Sequence, residues 1–275
     1  MDILVSIVVL TYNSSETIIE TLDSIYNQTY PNIELIVSDD YSKDNTCEAV
    51  QKWISSRKER FTDTRLLKAN RNHGVVKNCN IGIMQARGKY VQEFSGDDIL
   101  HPDAIEKKVS YAEKNKLDVL YVKTRPFGPN SKTVRSMTKR CEIGYKIIKQ
   151  GYDAQWKAIV RDNFLGGPCG GFYKTEFFKK VGGYDLRYPQ LEDWPFIYHY
   201  IKSGHGLVLL DEYLTDYRVS GNSLCTSYNI KFVKSSFRFF VFERMWDLLF
   251  NGDIKLMLAN FEQYHKLLKK IRHSK

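Results

Sequence analysis

The sequence lacks the signatures of the commonest cofactor sites and of a membrane span. It contains no GxGxxG and no GxxxxGK[ST] segment, which excludes the usual dinucleotide and P-loop phosphate cradles. No apolar stretch approaches the roughly 20 residues that cross a bilayer. The five cysteines are widely spaced, form no CxxC pair and follow no secretory leader, so we expect neither disulfides nor a zinc site. This pattern favours a reducing cytoplasm.

Positive charge is concentrated at one end of the 275 residues. The formal net charge is +9, but segment 231–275 has ten Lys and Arg residues against four Asp and Glu residues, a local +6. About +3 therefore remains for the rest of the chain. Because these cations are not combined with the aromatic platforms of an RNA-binding sheet, we expect no nucleic-acid partner.

The first hundred residues alternate between strand and helix patterns. Apolar, largely β-branched runs at 3–10, 33–38, 65–68 and 90–94 predict four strands, the first of them buried on both faces. The segments between these runs predict helices. Alternation of this kind is typical of right-handed crossovers in a parallel sheet, so the expected fold class is α/β.

Polar turns follow three of these strands. The first turn carries hydroxyls and Tyr12, the second carries Asp39 and Asp40, and the third carries Asp97 and Asp98. Ligands of parallel sheets bind beyond the carboxyl ends of the strands, so the turns should converge on one crevice. Adjacent carboxylates repel each other, and such a pair usually holds a cation that can recruit a phosphate.

Each acidic pair also has a structural interpretation. The pairs at 39–40 and 97–98 could cap the helices that follow them, because Asp is a preferred N-cap residue. Glu192–Asp193 could be a solvated helix start, since acids favour helix N-termini. The residues alone leave these alternatives open.

Eight motifs stand in order along residues 3–223. They are VSIVVLTYN at 5–13, ELIVSDDYSKDNT at 34–46, SGDD at 95–98, GG at 166–167, GGF at 170–172, VGGYD at 181–185, LEDW at 191–194 and YR at 217–218. This ordered set resembles glycosyltransferase family 2. The resemblance implies the GT-A fold, a Rossmann-like and mostly parallel sheet flanked by helices. It also implies a donor-binding half at 1–125, an acceptor-binding half at 126–228 and a basic helical extension at 229–275.

The activity that the resemblance implies is an inverting transfer of a sugar from a nucleotide diphosphate, with UDP favoured, to an acceptor hydroxyl. Tyr12 would stack on the base, Asp40 would accept from a uracil imide, and Asp97 would lie near the ribose. Asp98, with Asp97, would hold Mn²⁺ or Mg²⁺ against the departing diphosphate. The other donor-binding positions implied by the resemblance are Leu10, Thr11, Asn13, Asn72, Lys77 and Arg218.

Asp193 would be the general base that takes the proton from the acceptor hydroxyl. A single in-line displacement inverts the anomeric carbon and needs no second, nucleophilic carboxylate. Gly170, Glu192 and Trp194 would contact the acceptor, although a large aromatic side chain is as often a core residue.

The chain departs from common family choices at three positions. Ser95 stands where an Asp is frequent, Cys79 where an Arg is frequent, and Ser220 where a His that can ligate the metal is frequent. Lys77 could neutralise a phosphate in place of the Arg, or it could be an ordinary surface lysine. These departures leave a catalytically silent nucleotide-sugar-binding protein as an alternative.

Two later segments give weaker signals. Residues 125–132 are loop-like and 133–150 are basic with weak periodicity, so by analogy we expect a mobile flap over the donor. The tail has apolar residues at helical spacing that could form a cap, a dimerisation surface or an interfacial helix on an anionic inner leaflet. These residues are Ile254, Met257, Leu258, Phe261, Tyr264, Leu268 and Ile271.

The function that this pattern predicts is assembly of a surface polysaccharide, such as O-antigen or capsule, on a polyprenyl diphosphate carrier. A glycosyltransferase that acts on a protein or a teichoic-type polymer is the alternative acceptor class. The expected location is cytoplasmic, with peripheral membrane contact and a homodimer left open.

Overall fold

The computed structural model describes residues 3–165, 171–219 and 230–273, which form an eight-stranded mixed sheet with helices on both faces. The strands in these ranges are β1 Val5–Thr11, β2 Ile33–Asp39, β3 Asp63–Lys68, β4 Tyr90–Ser95, β5 Ile99–Leu100, β6 Val119–Phe127, β7 Gly171–Lys174 and β8 Val208–Arg218. The four N-terminal strands that the sequence predicts are all present, with small shifts at their ends.

The order of strands across the sheet is β3-β2-β1-β4-β7-β6-β8-β5. Strands β1 to β4 are parallel to one another, and β7 joins β4 to β6 in the antiparallel direction. Leu10 pairs with both Ser38 and Ser95, so β1, β2 and β4 end at the same level. Their carboxyl-terminal turns therefore lie at one edge, where parallel sheets bind ligands.

Helices cover both faces of this sheet and divide its core into two apolar clusters. The helices in the described ranges are α1 Ile18–Tyr26, α2 Thr46–Arg57, α3 Val75–Met84, α4 Ala104–Asn115, α5 Ser131–Lys149, α6 Tyr152–Arg161, α7 Thr175–Lys180, α8 Asp193–Lys202, α9 Ile230–Phe239, α10 Met245–Phe250 and α11 Ile254–His273. Helices α1, α2 and α4 pack on one face, whereas α3 and α5 to α11 pack on the other. No helix in the described ranges has the length and apolar character of a membrane span.

The loop-like interpretation of residues 125–132 is wrong at both ends of that segment. Strand β6 continues to Phe127, and helices α5 and α6 occupy most of the remainder. Asn130 caps α5 by accepting from the backbone N–H groups of Lys132 and Thr133, both at 3.1 Å. Only a few residues of α5 are buried, which explains the weak periodicity of this segment. The basic segment 133–150, for which we expected a flap, is therefore largely the helix α5.

The tail is a continuous helical unit packed on the domain. A π-helical turn, Phe240–Arg244, joins α9 to α10. On α11, Tyr264 is buried and Phe261 packs edge-on to Phe240 at 5.0 Å between ring centroids. The middle of the predicted apolar stripe thus faces the protein, as the helical-cap alternative requires, while Ile254 and Leu258 are exposed.

A buried arginine fastens this unit to the rest of the molecule. The Arg244 guanidinium donates from Nε to the Val160 carbonyl at 2.8 Å and also donates to the Arg161 carbonyl. Its carbon lies 4.3 Å from the centroid of the Trp194 ring, within cation–π range. Arg244 therefore connects the tail to the end of α6 and the start of α8.

We expect Arg244→Met to lower the free energy of unfolding by about 2–4 kcal/mol, because buried carbonyls lose charged donors. Urea denaturation followed by circular dichroism measures the change. Arg238→Met, at an exposed position of α9, is the matched control and should alter stability by less than about 0.5 kcal/mol. Equal effects of the two substitutions would contradict an anchoring role for Arg244.

Candidate functional site

Hydrogen bonds between backbones join the turns that follow β1, β2 and β4. The Gly96 N–H donates to the Leu10 carbonyl at 2.9 Å, and the Asp40 N–H donates to the Thr11 carbonyl at 2.9 Å. The Thr17 hydroxyl, at the start of α1, donates to the Gly96 carbonyl at 2.8 Å. The structure thereby brings the three predicted polar turns into one continuous rim.

Side chains cross-link the loops after β1 and β2. The Asn13 N–H donates to the Ser42 hydroxyl, and Asn13 Oδ1 accepts from the Lys43 N–H, both at 2.8 Å. Asn13 and Tyr41 have φ angles of 52° and 71°, a left-handed conformation that residues other than glycine seldom adopt. Tyr12 is exposed on this rim, so its ring face is available to a stacking partner.

Asp39 and Asp40 organise the neighbouring loops. Asp40 accepts from the N–H groups of His73 at 2.7 Å and Gly74 at 2.8 Å, one on each carboxylate oxygen. Asp39 accepts from the Thr11 hydroxyl at 2.9 Å and from the Ser42 hydroxyl and N–H. Both carboxylates are buried. Neither caps α2, which begins at Thr46, so the cap interpretation of this pair is wrong.

Two of the predicted donor residues lie on the surface next to the loop that Asp40 holds. Asn72 immediately precedes His73 and is exposed, and Lys77 is exposed in the first turn of α3. Asp40 orders the backbone between these two positions, whereas their own side chains point to solvent.

Arg218, the last residue of β8, is hydrogen-bonded to the turn that follows β4. Its backbone N–H donates to Asp98 Oδ1 at 2.8 Å, and its Nε donates to the Asp97 carbonyl at 2.7 Å. Its terminal nitrogen pairs with Glu20 of α1, and its guanidinium carbon lies 4.5 Å from the Phe127 ring centroid. The end of β8 is thus fixed to the turn after β4.

Asp97 and Asp98 differ in accessibility. Asp98 is fully buried, whereas Asp97 is only partly buried. Burial raises the pKa of Asp97, and the charge of Arg218 acts in the opposite direction. We predicted Asp98 as the principal metal ligand, but the structure makes Asp97 the more accessible carboxylate.

The donor set fits a hard divalent cation. Mg²⁺ and Mn²⁺ accept carboxylate oxygens and are commonly held by one or two carboxylates together with substrate phosphates. Asp97 supplies an accessible carboxylate at a strand exit, and a cation there would favour its ionised form. Within the part of the chain that the structure describes, no group of three or more His, Cys, Asp or Glu side chains is arranged to hold a metal.

The Glu192–Asp193 pair lies at the beginning of α8, on the other face of the sheet from α1. Asp193 accepts from the Trp194 N–H at 2.6 Å through Oδ1 and from the Asn163 amide at 3.1 Å through Oδ2. Burial raises the pKa of Asp193, while the hydrogen bond from Asn163 lowers it. Burial and the charge of Asp193 raise the pKa of Glu192 well above its usual range. The pair is therefore not a fully solvated helix start.

A third acid, Glu93 in the middle of β4, was missed by the sequence analysis. It accepts from the Tyr184 hydroxyl at 2.5 Å and from the Cys79 thiol at 3.4 Å. Burial raises its pKa to about 7, with a further contribution from the charge of Asp193. The sequence signal was a carboxylate inside an otherwise strand-like run. Cys79, at the position where the family often has Arg, serves as a partner of this acid.

The segment before α8 is tied to α3. The Asn80 amide donates to the Tyr184 carbonyl and its Oδ1 accepts from the Tyr184 N–H, both at 2.8 Å. Together with the bond from Tyr184 to Glu93, these contacts hold the loop against β4. Tyr184 is therefore fixed to both α3 and β4.

Trp194 has a packing role in the structure. It is buried, its ring packs against Phe239 at 5.3 Å and Arg244, and its indole N–H donates to the Ile159 carbonyl. This burial argues against the direct acceptor contact that we predicted for Trp194. The predicted acceptor residue Gly170, and Ser220, lie outside the described residues.

Comparison with known sequences identifies the family. The sequence profile described as Glycosyl transferase family 2 matches residues 6–182. The chain belongs to glycosyltransferase family 2. This result confirms the resemblance that the ordered motifs indicated.

Curated relatives of this glycosyltransferase family 2 protein cover different shares of the chain. An uncharacterized glycosyltransferase of Haemophilus influenzae is 40% identical over 112 residues, which are 41% of this chain and 33% of the relative. The Escherichia coli protein WfgD is 30% identical over 202 residues, 64% of this chain and 77% of WfgD. WfgD is named as a UDP-Glc:alpha-D-GlcNAc-diphosphoundecaprenol beta-1,3-glucosyltransferase.

Solved structures show that the fold is GT-A, as expected. Staphylococcus aureus TarS residues 1–349 in complex with UDP-GlcNAc matches with a TM-score of 0.60 at 17% identity, covering 96% of this chain and 81% of TarS 1–349. The mannosyltransferase PcManGT of Pyrobaculum calidifontis, in complex with GDP-Man and Mn²⁺, matches with a TM-score of 0.61 at 16% identity. It covers 99% of this chain and 80% of PcManGT.

The buried position of Glu93 should make stability pH-dependent. In the native state its pKa is about 7 against an ordinary value of 4.5, so the native state binds more protons between these values. The free energy of unfolding must then fall as pH rises through this window. Glu93→Gln never ionises there, yet its amide still accepts from Tyr184. We expect its decrease in unfolding free energy from pH 5 to pH 8 to be smaller than that of the wild type by about 2–3 kcal/mol.

Urea denaturation at both pH values measures this difference. Glu48→Gln, at an exposed position of α2, is the control and should reproduce the wild-type decrease. A Glu93→Gln variant with the same decrease as the control would show that Glu93 ionises normally in the folded protein.

Proposed function

We propose that the protein is an inverting glycosyltransferase that moves a sugar from a UDP-sugar to a hydroxyl of a polyprenyl-diphosphate-linked oligosaccharide. The observation that carries this proposal is the arrangement around β4. Asp97 lies just beyond the end of β4, on the rim formed by the three turns, which we call the nucleotide rim. Glu93, in the middle of β4, is close enough to Asp193 for the charge of Asp193 to raise its pKa. In such a site, Asp97 would serve the leaving nucleoside diphosphate, and Asp193 would activate the acceptor hydroxyl.

The donor would bind along the rim of the three turns. Tyr12 offers an exposed ring to the base, and the cross-linked loops at Asn13 and Asp40 surround it. Each Asp40 oxygen accepts one backbone N–H and retains a second lone pair, with which it can accept from a uracil imide. Near Asp97, the Arg218 guanidinium contributes positive charge toward a diphosphate.

A divalent cation held by Asp97, with Asp98 beside it, would neutralise charge on the departing nucleoside diphosphate. Asp98 contributes by fixing the backbone of Arg218, which keeps the cationic side chain next to the turn. Mn²⁺ or Mg²⁺ suits the carboxylate oxygens of this site.

Asp193 would act as the general base. Its hydrogen bonds from Asn163 and Trp194 leave it oriented, and its raised pKa makes it a stronger proton acceptor than an ordinary aspartate. As the acceptor oxygen attacks the anomeric carbon, its proton passes to an Asp193 carboxylate oxygen and the bond to the diphosphate breaks. One displacement of this kind inverts the anomeric configuration.

The lipid-linked acceptor is supported by similarity to WfgD, whose name specifies a diphosphoundecaprenol-linked acceptor. Such an acceptor would place the reaction at the cytoplasmic face of a membrane and the product in surface polysaccharide synthesis, either O-antigen or capsule.

We expect a UDP-sugar with Mn²⁺ to raise the melting temperature of the protein and to be hydrolysed slowly without acceptor. The measurement is thermal shift and release of the nucleoside diphosphate over a panel of UDP-, GDP- and dTDP-sugars, with and without EDTA. Asp97→Asn should remove most of the Mn²⁺-dependent shift, because the accessible carboxylate is lost. Absence of a shift with every nucleotide sugar would contradict the proposed function.

We expect Asp193→Asn to lower the transfer rate at least about 10²-fold, since an amide cannot accept the proton, while the donor-induced thermal shift is retained. Transfer is measured by radiolabelled sugar incorporated into a polyprenyl diphosphate acceptor. Asp153→Asn, at an exposed position of α6, is the matched control and should transfer at the wild-type rate. Unchanged transfer by Asp193→Asn would exclude it as the base, and donor binding without transfer in the wild type would favour a silent binding protein.

A further inference from the structure

Three large aromatic side chains stand exposed along one face of the tail. Phe242, Trp246 and Phe250 recur every four residues through the π-helical turn and α10, with exposed fractions of 59%, 50% and 81%. Side chains at this spacing lie on the same side of a helix. We refer to these three residues as the aromatic stripe. Leu249, Ile254 and Leu258, next to it along the chain, are exposed as well.

The opposite side of the same segment is fully packed. Phe240, Arg244 and Leu248 are buried and contact the domain. Folding of the tail therefore accounts for one face of this segment and leaves the aromatic stripe in contact with water. Scattered exposed apolar residues are common, but adjacent exposed apolar residues of this size generally mark an interaction surface.

The charges around the aromatic stripe are positive. Arg238 lies 5.7 Å from the centroid of the Phe242 ring, and Lys234 and Lys255 are exposed on α9 and α11. The side chains of the neighbouring acids Glu243 and Asp247 are mostly buried, and Glu243 pairs with Arg187 in the segment before α8. Asp247 likewise pairs with Lys202 of α8. Asp253, the next acid along the chain, pairs with Arg161. The exposed charges on the segments that flank the aromatic stripe are therefore mainly cationic.

We propose that the aromatic stripe docks on the surface of an anionic lipid bilayer. Aromatic side chains partition into the interfacial zone of a bilayer, and adjacent Lys and Arg side chains are attracted to anionic headgroups. A second copy of the chain is a poorer occupant, because it would bring the same cations against each other. This surface differs from the α11 stripe that the sequence indicated, most of which packs on the protein.

The docked segment is rigidly connected to the proposed base. Arg244 contacts the Trp194 ring, and Asp247 accepts from the Tyr198 hydroxyl, both on α8. Because α8 begins at Asp193, a membrane bound to the aromatic stripe would hold this helix near the bilayer surface. That α8 would meet a lipid-linked acceptor there rests on the proposed function. Binding of the aromatic stripe to the membrane does not.

The protein carries its own reporter for the test. Trp246 is half-exposed, while Trp53 and Trp194 are buried and Trp156 is partly buried. Vesicles containing brominated phosphatidylglycerol should quench Trp246 fluorescence, and brominated phosphatidylcholine vesicles should quench it far less. The variant Trp246→Phe should lose the anionic quenching. No quenching by the anionic vesicles would overturn the proposal.

Vesicle flotation with the full chain provides the second measurement. We expect Phe242→Ser combined with Phe250→Ser to weaken binding to phosphatidylglycerol vesicles at least tenfold, with an unchanged melting temperature. Ile143→Ser, at an exposed aliphatic position of α5, is the control and should bind as the wild type does. Equal binding by the double variant and the control would assign the membrane contact to another surface and overturn the proposal.

Sedimentation velocity distinguishes a lipid surface from a second copy. A wild-type dimer that is lost in the double variant, together with no vesicle binding, would assign the aromatic stripe to self-association and overturn the proposal. All of these measurements omit donor and acceptor. A chain that binds vesicles but transfers no sugar would therefore contradict the proposed function and leave the membrane contact standing.

Discussion

The hydrogen bonds between Arg218 and the turn at Asp97 and Asp98 are the constraint on which the nucleotide rim depends. They connect β8, the last strand along the chain, to the end of β4, although the two segments lie far apart in sequence. The buried Asp98 carboxylate accepts a backbone amide there, so removal of Asp98 would leave that N–H without its partner. The side chain of Arg218 is held beside Asp97 as a result. The same hydrogen bonds therefore order the backbone of this turn and place the positive charge of Arg218 beside it.

The sequence predicted the fold well where its patterns are local. The apolar runs of β1 to β4 and the helices between them follow from periodicity, and the convergence of their polar turns follows from parallel pairing. The sequence left most of residues 125–165 unassigned, because the buried residues of α5 all lie in the second half of that helix. It also could not order the later strands, since β7 enters between β4 and β6 through pairings distant in sequence.

Some residues of the candidate site belong to a sequence motif, whereas others are recognised only by their contacts in the structure. The ordered motifs led to Asp193 and Asp97, whereas Glu93 and Asn163 belong to no motif and became visible only through their contacts. The accessibility of Asp97 relative to Asp98 depends on how β8 packs over the turn, which the sequence does not encode locally. Trp194 was assigned to the acceptor because its motif gives its place in the chain but not the direction of its ring.

The cross-links between Asn13, Ser42 and Lys43 have a kinetic consequence. These bonds exist without any nucleotide, and they hold Asn13 and Tyr41 in backbone conformations that a free loop would rarely sample. Little chain entropy remains to be lost at the base-binding end of the site when a donor arrives. Association there should resemble the encounter of two rigid bodies, with a rate set by diffusion and charge and with residence time as the property that further substitutions alter most.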